Sequence, residues 1–128
     1  MDKKDDILEF EKLEQQLHSF LDDISELSKK RPNDPPNKFK LKFINTTLSK
    51  LNSLLKDDRP FAEFKQFDID ELPSNSDVVL LLSQYAAAVH RFRVENTTND
   101  EDNSVWIVRG RETEIPAGDS EDFRYESK

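Results

Sequence analysis

The side chains able to do chemistry are few and scattered. The chain has two histidines, His18 and His90, and no cysteine. Without thiols there is no disulfide framework, no thiolate zinc site and no thiol nucleophile. The histidines form neither a pair at i, i+4 nor an HExxH pattern, so a metal ion would need ligands gathered by the fold alone. Asp68, Asp70 and Glu71 resemble half of a calcium loop, but the glycine at its sharp turn and the spacing to a closing glutamate are missing. Asp22, Asp23 and Glu26 fall opposite an apolar helical stripe, where water surrounds all three alike, whereas acid–base pairs need unlike environments. Serines are plentiful, yet none sits on a recognisable nucleophile elbow with a base nearby. Gly110 and Gly118, the only glycines, are too few for a phosphate-cradling loop. The expectation is a chain with no catalytic residue, no cofactor and no metal: not an enzyme.

The charges are segregated. Lys29, Lys30, Arg31, Lys38, Lys40 and Lys42, with Asp34 as the one acid among residues 29–42, give that stretch a net charge of +5 in a chain of net charge −8. It is a candidate basic patch for a phosphoinositide headgroup, a nucleic acid or an import receptor. The same residues also suit the negative end of one helix and the acids of a facing one. Overall acidity argues against direct nucleic-acid binding, because phosphate neutralisation supplies most of that affinity. The opening MDKKDDILEF is charged where a signal peptide would be apolar, which predicts an intracellular, cytoplasmic protein, with the nucleus as the alternative. In that setting the sequons at Asn45 and Asn96 carry no glycan. No apolar run approaches the ~18 residues of a membrane span.

These residues need elements to hold them, and the hydrophobic spacing supplies three helices. Phe10, Leu13, Leu17, Phe20, Ile24 and Leu27 recur every three and four residues, an unbroken heptad series widened by Ile7 and Leu21. Asp5 and Asp6 suit the start of this helix, Lys29 to Arg31 its end, and Pro32 stops it. The first helix is predicted over about 5–30. A stiff proline turn leads to Leu41, Ile44, Leu48, Leu51 and Leu55, a second amphipathic helix over about 36–56 that folds back on the first. Phe61, Phe64 and Phe67 predict a short helical turn over about 60–67. Ser74 with Asp77 marks the cap of a third helix, about 75–95. This one is apolar round most of its circumference, from Val78–Leu82 to Phe92, and must be covered from several sides.

Residues 96–104 read as a flexible break. Val105–Val108 have strong strand preference, giving a short extended segment over about 105–109 that can pair with Thr113–Ile115 around Gly110. An acidic, disordered tail follows. The fold class is therefore all-α: an antiparallel three-helix bundle domain over 1–95, with a mostly flexible acidic appendage over 96–128.

What such a chain offers is apolar helix surface. The expected function is a non-catalytic helical adaptor or scaffold subunit of an intracellular multiprotein complex, a coiled-coil-like module binding a protein partner, itself helical or a second copy, through amphipathic faces. The first helix outruns the second, leaving Ile7, Phe10, Leu13 and Leu17 as one candidate contact surface, with Phe61 and Phe64 as a second, unless the Phe61–Phe67 segment and the strand of Trp106 supply the missing cover within the chain. The alternative is an acidic inhibitor of the immunity or antitoxin kind, masking a basic nucleic-acid-binding target with Asp22, Asp23 and Glu26.

Overall fold

The computed structural model describes residues 4–100, 103–108 and 111–116. Three helices dominate: α1 (Lys4–Lys30), α2 (Lys38–Leu55) and α3 (Asn75–Glu95), followed by strands β1 (Thr97–Asp100), β2 (Asn103–Val108) and β3 (Arg111–Pro116). The protein is a three-helix bundle, as the heptad spacing predicts, and the three helix ranges fall close to those expected. The acidic tail expected beyond Pro116 lies outside the described residues.

The apolar stripes explain the packing. Ile7, Phe10, Leu13, Leu17, Leu21 and Ile24 of α1 meet Leu41, Ile44, Leu48, Leu51 and Leu55 of α2, and Val78, Leu82, Tyr85, Val89 and Phe92 of α3, in one buried core. Ala86 and Ala88 are buried as well; Ala86, two turns before Arg93 on the side that meets α1, leaves room there for close approach.

Cross-helix bonds set the directions. Lys40 Nζ meets Asp23 at 2.7 Å and the Thr47 hydroxyl donates to Gln16 Oε1, so α2 descends as α1 ascends. Asn75 Nδ2 donates to the Arg31 carbonyl and Arg93 meets Glu14, so α3 also runs antiparallel to α1. It follows that α2 and α3 are parallel to each other. Residues 56–74 must then carry the chain back along the whole of α2, a helix of 18 residues and about 27 Å.

That return corrects the expected helical turn over 60–67. A helix there would advance only about 12 Å, and the segment is instead non-helical throughout, with 3-10 turns lying outside it at Lys56–Asp58 and Ile69–Glu71. Its backbone finds partners on α2. Asn45 donates from Nδ2 to the Phe67 carbonyl (2.9 Å) and accepts at Oδ1 from the Phe67 N–H (2.8 Å). Asn52, one heptad on, donates to the Lys65 carbonyl and accepts from the Tyr85 hydroxyl at 2.6 Å. The phenylalanine spacing then serves rings rather than a helix: Phe64 stacks edge-on against Phe67 and Tyr85. The chain reverses at both ends of the connector at non-glycine residues with positive φ, Lys56 (53°) and Leu72 (51°).

Asn45 is buried and both its amide atoms are used, so its sequon is no glycan acceptor in the folded chain. Asn45→Ala should cost about 2–4 kcal/mol, because it strands a buried N–H and a buried carbonyl of Phe67 at once. Urea melts of the variant against wild type measure this. Asn45→Asp, which keeps the acceptor and loses the donor, should fall between them.

The stretch 96–104, expected as a flexible break, contains β1. The last carbonyls of α3 explain why it is ordered at its start: Asn96 Nδ2 donates to the Phe92 carbonyl and the Thr97 hydroxyl to that of Arg93, both at 2.8 Å. The three strands form an antiparallel meander in the order β1-β2-β3. Pairing of Thr97 with Trp106 lays the tryptophan back over the end of α3, where it is fully buried.

Candidate functional site

The most concentrated polar chemistry lies where that strand meets the helices. Arg93, on the last turn of α3, donates from Nη2 to Glu14 Oε1 (2.8 Å) and from Nε to Glu14 Oε2 (3.2 Å). It also reaches Glu11 Oε2 at 3.4 Å. Trp106 Nε1–H donates to the same Glu11 oxygen at 3.3 Å, and the Arg93 guanidinium lies 4.8 Å from the indole centroid. Phe10 packs against Phe92 at 5.2 Å and edge-on against Trp106 at 5.5 Å. Glu11 and Glu14 sit three residues apart on α1, so both carboxylates face one guanidinium.

Burial pushes the Glu14 carboxyl up from 4.5 to about 7, against the hydrogen bond and charge of Arg93, while Glu11 adds repulsion. The folded chain therefore holds a proton here that the unfolded chain releases. This contribution to stability is complete below pH 4.5 and is lost as pH rises toward 7, a change of about 3 kcal/mol. Glu14→Gln should abolish that fall, and the difference between variant and wild-type urea melts across pH 4–8 isolates it. The difference is needed because His18 acts in the opposite sense. Burial lowers its imidazole below 6.5, Asp22 opposes, and His90 on the facing helix adds to the lowering. Its contribution is present above pH 6.5 and lost as pH falls.

The remaining chemically capable residues do not converge. Among the described residues no group of three or more His, Asp or Glu side chains is placed to hold a metal ion. Asp68 accepts from the Asp70 N–H as the cap of a 3-10 turn, which accounts for the calcium-like cluster. Asp22, Asp23 and Glu26 are exposed, with Asp23 and Glu26 already paired to Lys40 and Lys29. Of the basic patch, Lys29, Arg31, Lys38 and Lys40 each lie within 4.0 Å of a carboxylate. Exposed pairs of this kind add little to stability.

The first candidate contact surface needs correcting. Ile7, Phe10, Leu13 and Leu17 are core residues with at most 1% of their surface exposed. The expected shortage of cover at the end of α1 is made good by Phe92 and by Trp106 from the sheet. Phe64 is half-buried against the core, while Phe61 is 41% exposed. Other large apolar side chains exposed among the described residues are Leu8 on α1, Phe39 and Phe43 on α2, Leu72 in the connector, and Leu80 and Val94 on α3. Their outward positions relative to the core stripes were the available signal.

The bundle defines a class, a small three-helix protein whose described residues include exposed apolar side chains on the outer sides of α2 and α3 and one buried ion-pair cluster. Among the described residues no helix is long and apolar enough to cross a membrane. Comparison with protein-family models, with curated proteins and with solved structures finds no match.

Proposed function

We propose that the chain is a non-catalytic adaptor or scaffold subunit of an intracellular multiprotein complex, binding an amphipathic helix of a partner protein along the outward face of α3. The observation that supports this reading is the surface left uncovered there. Leu80 is 58% exposed and Val94 46%, with exposed Ala87 midway. Seven-residue spacing puts all three on one line about 21 Å long. Ala87 at the centre lets a second backbone come near, as small residues do between close helices. Gln84 and Arg91, both exposed, border the line and supply the polar rim of a helix-in-groove contact. The energy would come from apolar burial at about 25 cal/mol per Å² before association costs, so binding should depend only modestly on salt.

A photo-crosslinking residue placed at Ala87 tests this in native cells. It should trap one polypeptide in stoichiometric yield, and Leu80→Asp with Val94→Asp should abolish the adduct while the thermal melt stays unchanged. An assembly that runs in native mass measurement at the 15.0 kDa of the lone chain, with no adduct, overturns the reading.

A further inference from the structure

The outward face of α2 differs from that of α3 by carrying cations. Phe39 is 70% exposed and Phe43 52%, and their rings stack edge-to-face with centroids 4.9 Å apart. They stand one helical turn apart on the start of α2, and the line they define turns polar at Thr46 and Lys50. Lys42 and Lys50 flank it. Among the described residues neither has a carboxylate within 4.0 Å, whereas Lys38 and Lys40 of the same helix are paired with Asp70 and Asp23. Beside these two lysines, α2 and the returning connector leave an open depression of about 440 Å³ whose lining includes Lys42, Thr46, Ser49, Lys50, Gln66 and Ile69. Its polar groups are ammonium, hydroxyl and amide, Ile69 and the aliphatic stems of the lysines give it an apolar wall, and no carboxylate is among the lining residues. Lys30 ends α1 just before the turn into α2 and adds a further exposed ammonium at the same end of the bundle, while Lys29 and Arg31 there are paired with Glu26 and Asp34.

Two exposed rings in a setting of lysines select their occupant by area and charge. Phenylalanine buries on the order of 200 Å² when fully covered, so the exposed portions of this pair offer roughly 250 Å². A standard protein partner covers about 800 Å² on each side. A protein partner would also have to supply carboxylates spaced to meet Lys42 and Lys50. A lipid surface needs neither: its headgroup–acyl boundary accepts protruding aromatic rings, and its phosphates attract each nearby lysine. We propose that this face of α2 docks on bilayers rich in anionic phospholipid, with Phe39 and Phe43 entering the boundary and Lys42 and Lys50 holding lipid phosphates at the depression. This is independent of the partner helix on α3, which uses another face.

Vesicle flotation of the full chain tests it. The chain should float with vesicles of equal parts phosphatidylcholine and phosphatidylserine and remain behind with phosphatidylcholine alone. Phe39→Ala with Phe43→Ala should weaken flotation at least tenfold, and Lys42→Glu with Lys50→Glu should abolish it. All four side chains are on the surface, so the melts of both double variants should match wild type. Leu80→Asp with Val94→Asp should float normally, which separates this proposal from the α3 reading. Inorganic phosphate at the lipid concentration should not displace the chain, because the bilayer rather than a free anion is the ligand. Equal flotation on neutral vesicles, none on anionic ones, or full flotation of either α2 double variant overturns the proposal. So does capture by an immobilised acidic amphipathic peptide in place of vesicles.

Discussion

Arg93→Ala should cost about 3–5 kcal/mol at pH 8, because it leaves a buried carboxylate without its counter-charge. That is a large share of the 5–15 kcal/mol that holds a domain of this size together. The magnitude rests on geometry: two of the guanidinium's bonds go to Glu14, at 2.8 and 3.2 Å, and both side chains are almost wholly out of water. Neither group can turn to solvent when the other is removed. The loss should shrink at pH 5, where Glu14 escapes its predicament by taking a proton. Combining Arg93→Met with Glu14→Gln should restore most of the stability, since a neutral pair of similar bulk needs no counter-charge. Denaturant melts of the single and double variants at the two pH values give the result. A loss under about 1 kcal/mol at pH 8 would mean that water reaches the cluster, and the account of Glu14 would have to be abandoned.

Trp106→Ala should be as damaging, again by about 3–5 kcal/mol, the usual cost of emptying a large aromatic site that cannot collapse. The indole covers Phe10, lies beside Arg93 and bonds Glu11, so its removal opens the core at the end of α1. Trp106→Phe keeps much of the area but loses the N–H bond and the stronger cation–π face. It should cost about 1–2 kcal/mol. Helical circular dichroism follows both variants, and amide exchange of β1 and β2 should rise most in the alanine form. If Trp106→Ala melts like wild type, the strands are an ornament on a bundle that is complete without them.

The helices were legible because their stripes are long and regular. Phe10 to Leu27 and Leu41 to Leu55 obey one spacing each, and burial follows it except at Phe20 and Leu27, which are only partly buried while Leu21 enters the core. The parallel course of α3 beside α2 was not legible, because the pattern of a helix states which side is apolar and not which way the chain runs. The connector misled for a related reason. Phenylalanine every third residue is a local signal, but the segment's conformation is imposed by the distance it must cover and by Asn45 and Asn52 on a distant helix. The ion-pair cluster was hidden in the same way: Glu14 lies on the edge of the stripe and finds Arg93 only through the tertiary fold. As for surfaces, the apolar stripe of α1 was correctly read as sticky and wrongly read as free. Phe39, Phe43 and Val94 remain in water off the core stripes and carry no periodic signal of their own, whereas exposed Leu80 belongs to the Val78–Leu82 run whose apolar excess is visible in the sequence, and Phe61 is exposed where the phenylalanine spacing points to it.

The bond from Trp106 to Glu11 spans 95 residues, and this has a consequence for how the protein is made. On a ribosome adding about 5–20 residues per second, Phe10 and Glu11 emerge roughly 5–20 s before their cover exists. Throughout that interval the nascent chain presents a bare greasy end to its surroundings, and the helical hairpin of α1 and α2 alone cannot hide it. Chaperone attachment during translation should therefore concentrate on the first helix and end only when the tryptophan has left the exit tunnel.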